Sequence, residues 1–117
     1  MEQAPNEPIL TVVFYKTEGG NEPGEWLKGL KREDRKTIGE DIKTVQFGWP
    51  LGMPLIRKVR PGIWEVRSSI SQGIARVFFT VEGHTMMRLH GFIKKSQKTP
   101  RIELRTAHQR LTNLSKE

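Results

Sequence analysis

Residues 55–94 read LIRKVRPGIWEVRSSISQGIARVFFTVEGHTMMRLHGFIK, and this stretch decides the fold. It contains four segments rich in β-branched and aromatic residues, which predict strands over 55–60, 63–69, 74–81 and 85–93. The segments are separated by Pro61-Gly62, Gln72-Gly73 and Glu82-Gly83, which are typical turn sequences. Because short turns join consecutive strands into hairpins, the stretch predicts an antiparallel sheet.

A strand and two helices are predicted before this stretch, and one helix after it. Residues 9–15, ILTVVFY, have the composition of a buried strand. A short helix carrying Trp26 precedes a longer one, in which apolar residues recur at helical spacing from Ile38 to Val45. After Pro100, an apolar stripe from Leu104 to Leu114 predicts a last helix.

These elements together predict an α+β domain. The order is β-α-α-β-β-β-β-α, an antiparallel sheet with an N-terminal helical hairpin and a C-terminal helix, all on one face of the sheet. A length of 117 residues and a mass of 13.5 kDa suit a single domain over 1–117. We expect residues 1–8, which contain two prolines, to be frayed.

Composition excludes several function classes. The chain has no cysteine, which excludes disulfides, thiolate metal sites and cysteine nucleophiles. Its first residues, MEQAPNEP, lack the basic and apolar regions of a signal peptide, and no apolar run reaches the length of a membrane span. We therefore expect a soluble, cytoplasmic protein that does not engage a membrane.

The positive charge is concentrated in the second part of the chain. Residues 1–50 hold seven basic and nine acidic residues, whereas residues 51–117 hold thirteen basic and four acidic ones. The resulting net charges are −2 and +9, which account for the formal total of +7. Such asymmetry indicates a polyanionic partner, such as a nucleic acid or an acidic protein.

Strand alternation predicts where this charge lies. Successive side chains of a strand point to opposite faces. In the predicted strands one face collects five basic side chains, with Phe78 and Phe92 between them. The basic members of this face are Arg67, Arg76, Arg88, His90 and Lys94. If the helices cover the other face, this basic and aromatic surface suits RNA, because arginines bind phosphates and rings stack on unpaired bases.

Motifs for metals and cofactors are missing from the sequence. The three histidines, His84, His90 and His108, show no paired spacing such as HExxH. Neither GxxxxGK[ST] nor GxGxxG occurs, so nothing indicates a nucleotide cofactor. We therefore expect no metal and no small-molecule cofactor.

The order of short motifs from residue 55 onward resembles the RelE/ParE toxin superfamily, and most closely its HigB-like, phage-derived branch. The similarity extends over about residues 9–112 and is strongest over 55–111. The motifs, in chain order, are Ile56-Arg57-Lys58-Val59-Arg60, Trp64-Glu65-Val66-Arg67, Ala75-Arg76-Val77-Phe78, His90-Gly91-Phe92-Ile93-Lys94-Lys95, Lys98-Thr99-Pro100 and a helix with Glu103, Ala107 and Arg110.

This resemblance implies the toxin of a type II toxin–antitoxin pair carried by a prophage. Members of this branch are mRNA endoribonucleases, or mRNA interferases, that typically act in the ribosomal A site. Their reaction is metal-independent: the ribose 2′-hydroxyl attacks the adjacent phosphate and leaves a 2′,3′-cyclic end. The implied partner is a small helix-turn-helix antitoxin, similar to HigA, that covers the basic face.

The resemblance also implies roles for particular residues. Arg67 and Arg76 would bind the scissile phosphate, since arginine binds phosphate oxygens in a bidentate manner. Proton transfer would fall to Lys94, Lys95 or His90, and the pair could be Lys/Lys, Lys/His or incomplete. The expected RNA-binding residues are Arg57, Lys58, Arg60, Arg88, Phe92, Lys98 and Arg101.

Two other functions stay open at this point. A ParE-like toxin of the same fold would inhibit DNA gyrase without catalytic residues. A plain basic nucleic-acid-binding module would have no toxicity. The convergence of Arg67, Arg76, Lys94 and Lys95 favours the nuclease.

Overall fold

A computed structural model of the chain describes residues 7–16, 22–50, 55–71, 73–94 and 101–115. The element order is the one that the sequence predicts. The elements are β1 (Thr11–Phe14), α1 (Glu22–Lys28), α2 (Arg32–Gly48), β2 (Ile56–Arg60), β3 (Ile63–Ile70), β4 (Gly73–Glu82), β5 (Thr85–Lys94) and α3 (Arg101–Ser115). The predicted fraying of residues 1–8 concerns a segment of which only 7 and 8 are described.

The five strands form one mixed sheet in the order β1-β5-β4-β3-β2. The four strands from β2 to β5 pair antiparallel with their sequence neighbours, as the turn sequences predict. Strand β1 pairs parallel to β5, with Thr11 opposite Thr85 and Phe14 opposite Arg88. The prediction of a purely antiparallel sheet is therefore wrong at this edge, because turn chemistry specifies only hairpins between consecutive strands.

One face of the sheet, here called the α1–α2 face, carries an apolar core. Ile38, Ile42 and Val45 of α2 lie on one side of the helix because they recur at helical spacing, and all three are buried. They pack against apolar side chains of the strands, which alternate along each strand: Ile56, Val66, Ala75, Val77, Phe79 and Met86. At about 25 cal/mol per Å² of apolar surface, this burial is the main stabilising contribution of the α1–α2 face.

The opposite face, here called the α3 face, is covered in part by α3. Ala107 of α3 is buried in a second cluster with Ile63, Phe78, Leu89 and Phe92, and partly buried leucines along α3 pack against it. The prediction that all helices share one face and that Phe78 and Phe92 stand open is wrong. The stripe on α3 provides a second apolar layer, and the two rings form part of a core, 5.3 Å apart between centroids.

A β-bulge in β5 separates Arg88 from the other basic residues. Phe78 pairs with His90 and Phe79 with Arg88, so Leu89 is an extra residue on β5. Such an insertion reverses the alternation of side chains beyond it. Simple alternation predicts that Arg88 shares the face of Arg76 and His90. That prediction is wrong, because the bulge places Arg88 on the opposite face. It is buried, with its guanidinium carbon 3.4 Å from the ring centroid of Phe14.

Gly91 allows α1 to approach the sheet closely. A Cβ at this position would lie 2.4 Å from Cε3 of Trp26, which is closer than side-chain carbons approach each other. The ring of Trp26 thus rests directly on the backbone of β5. In the part of the chain that the structure describes, no helix is long and apolar enough to cross a membrane.

Candidate functional site

The two arginines predicted to bind phosphate lie directly opposite each other. Arg67 of β3 pairs with Arg76 of β4, and the antiparallel register places both on the α3 face. Arg67 is partly exposed, whereas Arg76 is only 4% exposed. Like charges at such positions repel each other, so this arrangement requires a compensating anion.

Glu65 supplies part of that compensation. Its side chain is completely buried, and Nη1 of Arg76 donates a hydrogen bond to its Oε1 at 2.6 Å. Both residues of this ion pair are almost inaccessible, so the pair is held in low dielectric surroundings where charge-assisted hydrogen bonds are short and strong. On the other side of Glu65, the exposed Arg57 of β2 is its direct cross-strand neighbour.

Several polar atoms in this charge cluster are buried without a partner in the described part of the chain. They are Oε2 of Glu65 and the Nε atoms of Arg67 and Arg76. Buried polar groups in proteins are nearly always hydrogen-bonded, so an unpaired one requires an explanation, such as a bound water, ion or ligand. Glu65 fixes one end of the Arg76 guanidinium. The guanidinium of Arg67 has no ion pair in the described residues, so it is available to an anionic ligand.

His90 is oriented by a carboxylate from α3. Its Nε2 lies 2.5 Å from Oε1 of Glu103. An ionised carboxylate only accepts hydrogen bonds, so a neutral imidazole in this contact carries its proton on Nε2 and leaves Nδ1 as an acceptor. His90 pairs with Phe78, two register positions along from the pair of Arg76 and Phe92 and therefore on the same face. The sequence motifs included Glu103 in the resemblance, but its contact with His90 depends on how α3 packs.

Sequence reasoning missed part of a basic groove beside the first turns of α3. The groove encloses about 370 Å³ and is lined by Arg60, Arg101, Arg105 and His108. All four side chains are exposed or partly exposed and have no ion pair within the described segments. Arg60 and Arg101 were expected to bind RNA, but Arg105 and His108 were not. Their spacing of three along a helix was the signal available in the sequence.

The remaining predicted site residues are distributed over the molecule. Lys58 lies over the ring of Trp64, 5.7 Å from its centroid, at the exposed end of the α1–α2 face. Phe92 packs in the apolar cluster under α3, and Arg88 lies on the α1–α2 face, so neither lies beside Arg67 as a binding residue. Lys94 ends β5 opposite Ile74. Lys95 and Lys98 lie outside the described residues.

Arg88 is buried on the α1–α2 face, away from the arginines of the α3 face. Burial lowers the pKa of Arg88 to about 10, because the charged guanidinium is removed from water.

Among the described residues, no group of three or more His, Asp or Glu side chains is arranged to hold a metal ion. The cationic side chains of the α3 face are therefore what this region offers to a ligand.

Residues 25–112 match the sequence profile of a family described as Phage derived protein Gp49-like (DUF891). The match spans most of the chain, from α1 to the last turns of α3, and includes both members of each ion pair described above. The chain belongs to the Gp49-like family. A search of curated proteins finds no significant match.

Gp49-like proteins are a toxin family of the RelE/Gp49 type. The predicted resemblance to the RelE/ParE superfamily is confirmed at this level. The Gp49-like family is associated with RelE-type toxins, which are endoribonucleases.

Proposed function

We propose that this Gp49-like chain is the toxin of a type II toxin–antitoxin pair, similar to the HigB-like branch, and that it cleaves mRNA on the ribosome. One observation carries the proposal: Arg67 and Arg76 lie side by side on the α3 face, with Arg76 held by the buried carboxylate of Glu65. Fixed guanidinium groups are suited to a phosphate on which negative charge develops, since they need no reorganisation during the reaction.

The proposed reaction is an internal transfer of a phosphoryl group. The ribose 2′-oxygen forms a bond to the adjacent phosphorus, and the bond from phosphorus to the 5′-oxygen breaks. A base takes the proton of the 2′-hydroxyl, and an acid gives a proton to the leaving 5′-oxygen. The products are a 2′,3′-cyclic phosphate and a free 5′-hydroxyl, and the added negative charge in the transition state is borne by Arg67 and Arg76.

His90 is the proposed proton-transfer residue among the described side chains. Its contact with Glu103 fixes the ring and leaves Nδ1 free in the neutral tautomer. Histidine is suited to this role because it changes charge near neutral pH. Lys94 and Lys95, at and beyond the end of β5, are the proposed partners for the second proton.

Binding of the RNA backbone is proposed for the exposed basic residues around this site. They are Arg57, Arg60 and Arg101. Lys58 is left out because it lies on the α1–α2 face, and the predicted RNA-binding role of Lys98 falls outside the described residues. Phosphate contacts by such residues fix the position of an RNA without reading its sequence. Arg88 and Phe92 have no part in this proposal, because Arg88 lies on the opposite face of the sheet and the ring of Phe92 belongs to the apolar cluster under α3.

The proposed protein partner is a small helix-turn-helix antitoxin, as the HigB-like resemblance implies. The net charge of +9 over residues 51–117 supports an acidic partner surface. Co-expression of the chain with the product of its neighbouring gene should restore growth and yield a stable complex.

The experiment is a map of new 5′ ends on a defined mRNA, incubated with purified protein with and without ribosomes. We expect ends only in the presence of ribosomes. Arg76→Lys keeps the positive charge but loses the parallel N–H donors of the guanidinium, so the rate of mRNA cleavage should fall about 100-fold. Arg35→Lys, at an exposed position of α2, is the matched control and should cleave normally.

Other results would change the conclusion. Ends in both reactions would establish a free ribonuclease. The absence of ends with folded wild-type protein would contradict the nuclease proposal, and accumulation of DNA cleavage complexes with gyrase would then favour the ParE-like alternative.

A further inference from the structure

Helix α3 presents a basic stripe on its exposed side. Arg101, Arg105 and His108 follow one another at intervals of four and three residues, so they lie along one side of the helix. All three side chains are exposed. Together with the exposed Arg60 at the end of β2, they line the basic groove of about 370 Å³ described above.

The basic stripe does not serve the stability of the helix. Arg101 and Arg105 are like charges four residues apart, an arrangement that destabilises a helix slightly. Glu103, the acidic residue of α3, contacts His90 instead. Within the described residues, no ion pair involves Arg60, Arg101 or Arg105. The groove is therefore a concentration of positive charge that the described part of the chain does not neutralise.

An exposed isoleucine borders this groove. Ile102 is 66% exposed, and it lies next to Arg105 because residues three apart are neighbours on a helix. The other large apolar side chains of α3, Leu104, Leu111 and Leu114, pack on the sheet. Single exposed apolar side chains are common on protein surfaces. An apolar side chain bordered by arginines, however, has the composition of a protein–protein interface.

We propose that the basic groove and Ile102 together form the docking surface for an acidic segment of a partner protein. Carboxylates of this segment pair with the arginines of the groove, and an aliphatic side chain beside them packs on Ile102. The inference rests on the proposed function for the identity of the partner, the antitoxin. It deepens that function by assigning the partner to the outer side of α3.

An acidic polypeptide suits this surface better than RNA does. Proteins bind unpaired RNA with basic residues and with aromatic rings that stack on the bases. Among the described residues that line the groove, none is a phenylalanine, tyrosine or tryptophan. The side chain of Ile102 is matched instead by aliphatic side chains, which a polypeptide carries and RNA does not.

A partner in this groove competes with RNA without covering the proposed phosphate site. Arg60 and Arg101 are also proposed to bind the RNA backbone, so carboxylates in the groove take the positions of RNA phosphates. Arg67 and Arg76 do not line the groove. The bound partner therefore keeps RNA from docking while these two arginines stay open.

The test uses two short synthetic peptides of equal negative charge. One alternates glutamate with leucine, the other alternates glutamate with serine, and binding to the purified full chain is followed by fluorescence anisotropy. We expect the wild type to bind the leucine peptide about tenfold more tightly, because only this peptide buries apolar surface against Ile102. Ile102→Ser should remove the difference. Ile9→Ser is the matched control and should keep it, since Ile9 is the other exposed large apolar side chain of the described residues, at 46%.

A charge variant tests the groove itself. Arg105→Gln should weaken the binding of both peptides about threefold, the effect of one exposed ion pair. Arg35→Gln, at an exposed position of α2, is the matched control and should bind them normally. Equal binding or no binding of the two peptides by the wild type, or a difference that survives Ile102→Ser, would overturn the docking surface. If Arg105→Gln binds an oligouridine less tightly but both peptides normally, the groove is an RNA site and the docking surface is equally overturned.

Cleavage of mRNA by the wild type separates this proposal from the nuclease proposal. The expected peptide results without mRNA cleavage would support the docking surface and contradict the nuclease. Cleavage together with any of the overturning peptide results would remove the docking surface and leave the nuclease standing.

Discussion

The two faces of the sheet are built from the same strands but differ in what they bury. The α1–α2 face buries a continuous apolar cluster, with Phe79 among three aromatic rings in mutual contact. The α3 face buries an apolar cluster around Phe78 and, directly beside that ring, the ion pair of Glu65 and Arg76. A buried ion pair stabilises a fold little compared with apolar packing of the same volume. The comparison therefore assigns stability chiefly to the first face, and the second is the one to which we assign the proposed RNA binding.

The adjacent phenylalanines Phe78 and Phe79 provide the sharpest comparison, because both are fully buried and they belong to different clusters. Each change to alanine should lower the free energy of unfolding by about 3–5 kcal/mol, measured by urea denaturation. Phe78→Ala should also weaken RNA cleavage under conditions where the protein is folded, since it supports the α3 layer beside His90. Equal cleavage rates for the two folded variants would contradict the assignment of RNA binding to the α3 face alone.

Arg67→Gln should separate activity from stability on the α3 face. Arg67 is partly exposed and its side chain has no ion pair in the described residues, so the free energy of unfolding should change by less than about 0.5 kcal/mol. Cleavage at saturating RNA should fall by about 100- to 1,000-fold, the effect of losing one preorganised charge-stabilising group. If Arg67→Gln lowers the stability of the fold but cleaves RNA at the normal rate under conditions where it is folded, Arg67 has a structural role instead.

Gly91→Ala should test how closely the α1–α2 face is packed. The added methyl group would overlap the ring of Trp26, and the free energy of unfolding should fall by about 1–3 kcal/mol. Gly39→Ala is the control in α2, where a Cβ meets nothing within 4 Å, and it should stabilise the protein by about 0.5–1 kcal/mol. If the denaturant midpoints of Gly91→Ala and Gly39→Ala move in the same direction, Gly91 is not as closely packed against Trp26 as we infer.

Replacement of Arg88 should have the smallest effect on the free energy of unfolding, and this effect should depend on pH. The pKa of Arg88 in the folded chain is about 10, below its ordinary value, so the folded state releases this proton at lower pH than the unfolded state. Its destabilising contribution is therefore fully present near neutral pH and decreases as the pH rises above 10.

Comparison with Arg88→Met isolates this contribution. Between about pH 8 and about pH 10.5, the wild type should gain on the order of 1 kcal/mol of stability relative to the variant, measured by denaturation at both values. An unchanged difference would indicate that the guanidinium is better solvated than its burial implies.

Local chemistry in the sequence specified most of the elements. Apolar spacing located α2 and α3, and turn residues such as Gly62 and Gly83, both with positive φ, located the hairpins. The parallel pairing of β1 was not predictable in this way, because the pairing partner of a four-residue strand is set by long-range packing.

The candidate site was predicted in part. The side-by-side arrangement of Arg67 and Arg76 followed from alternation and register, since no bulge interrupts β3 and β4 between them. The bulge at Leu89 displaced Arg88 from the predicted face, and a single extra residue in a strand leaves no signal in the hydrophobic pattern. The contacts of His90 with Glu103 and of Arg76 with Glu65 depend on how whole elements pack, which composition does not encode.

The position of β1 also constrains when the protein can complete its fold during synthesis. Its hydrogen-bonding partner is β5, so two helices and three strands must be made before the first strand can be incorporated. Glu103, which orients His90, follows later still, in α3. Contacts between such distant segments form late, because the intervening chain must be closed into a loop first. The contact between His90 and Glu103 therefore forms only after both β5 and α3 have been synthesised.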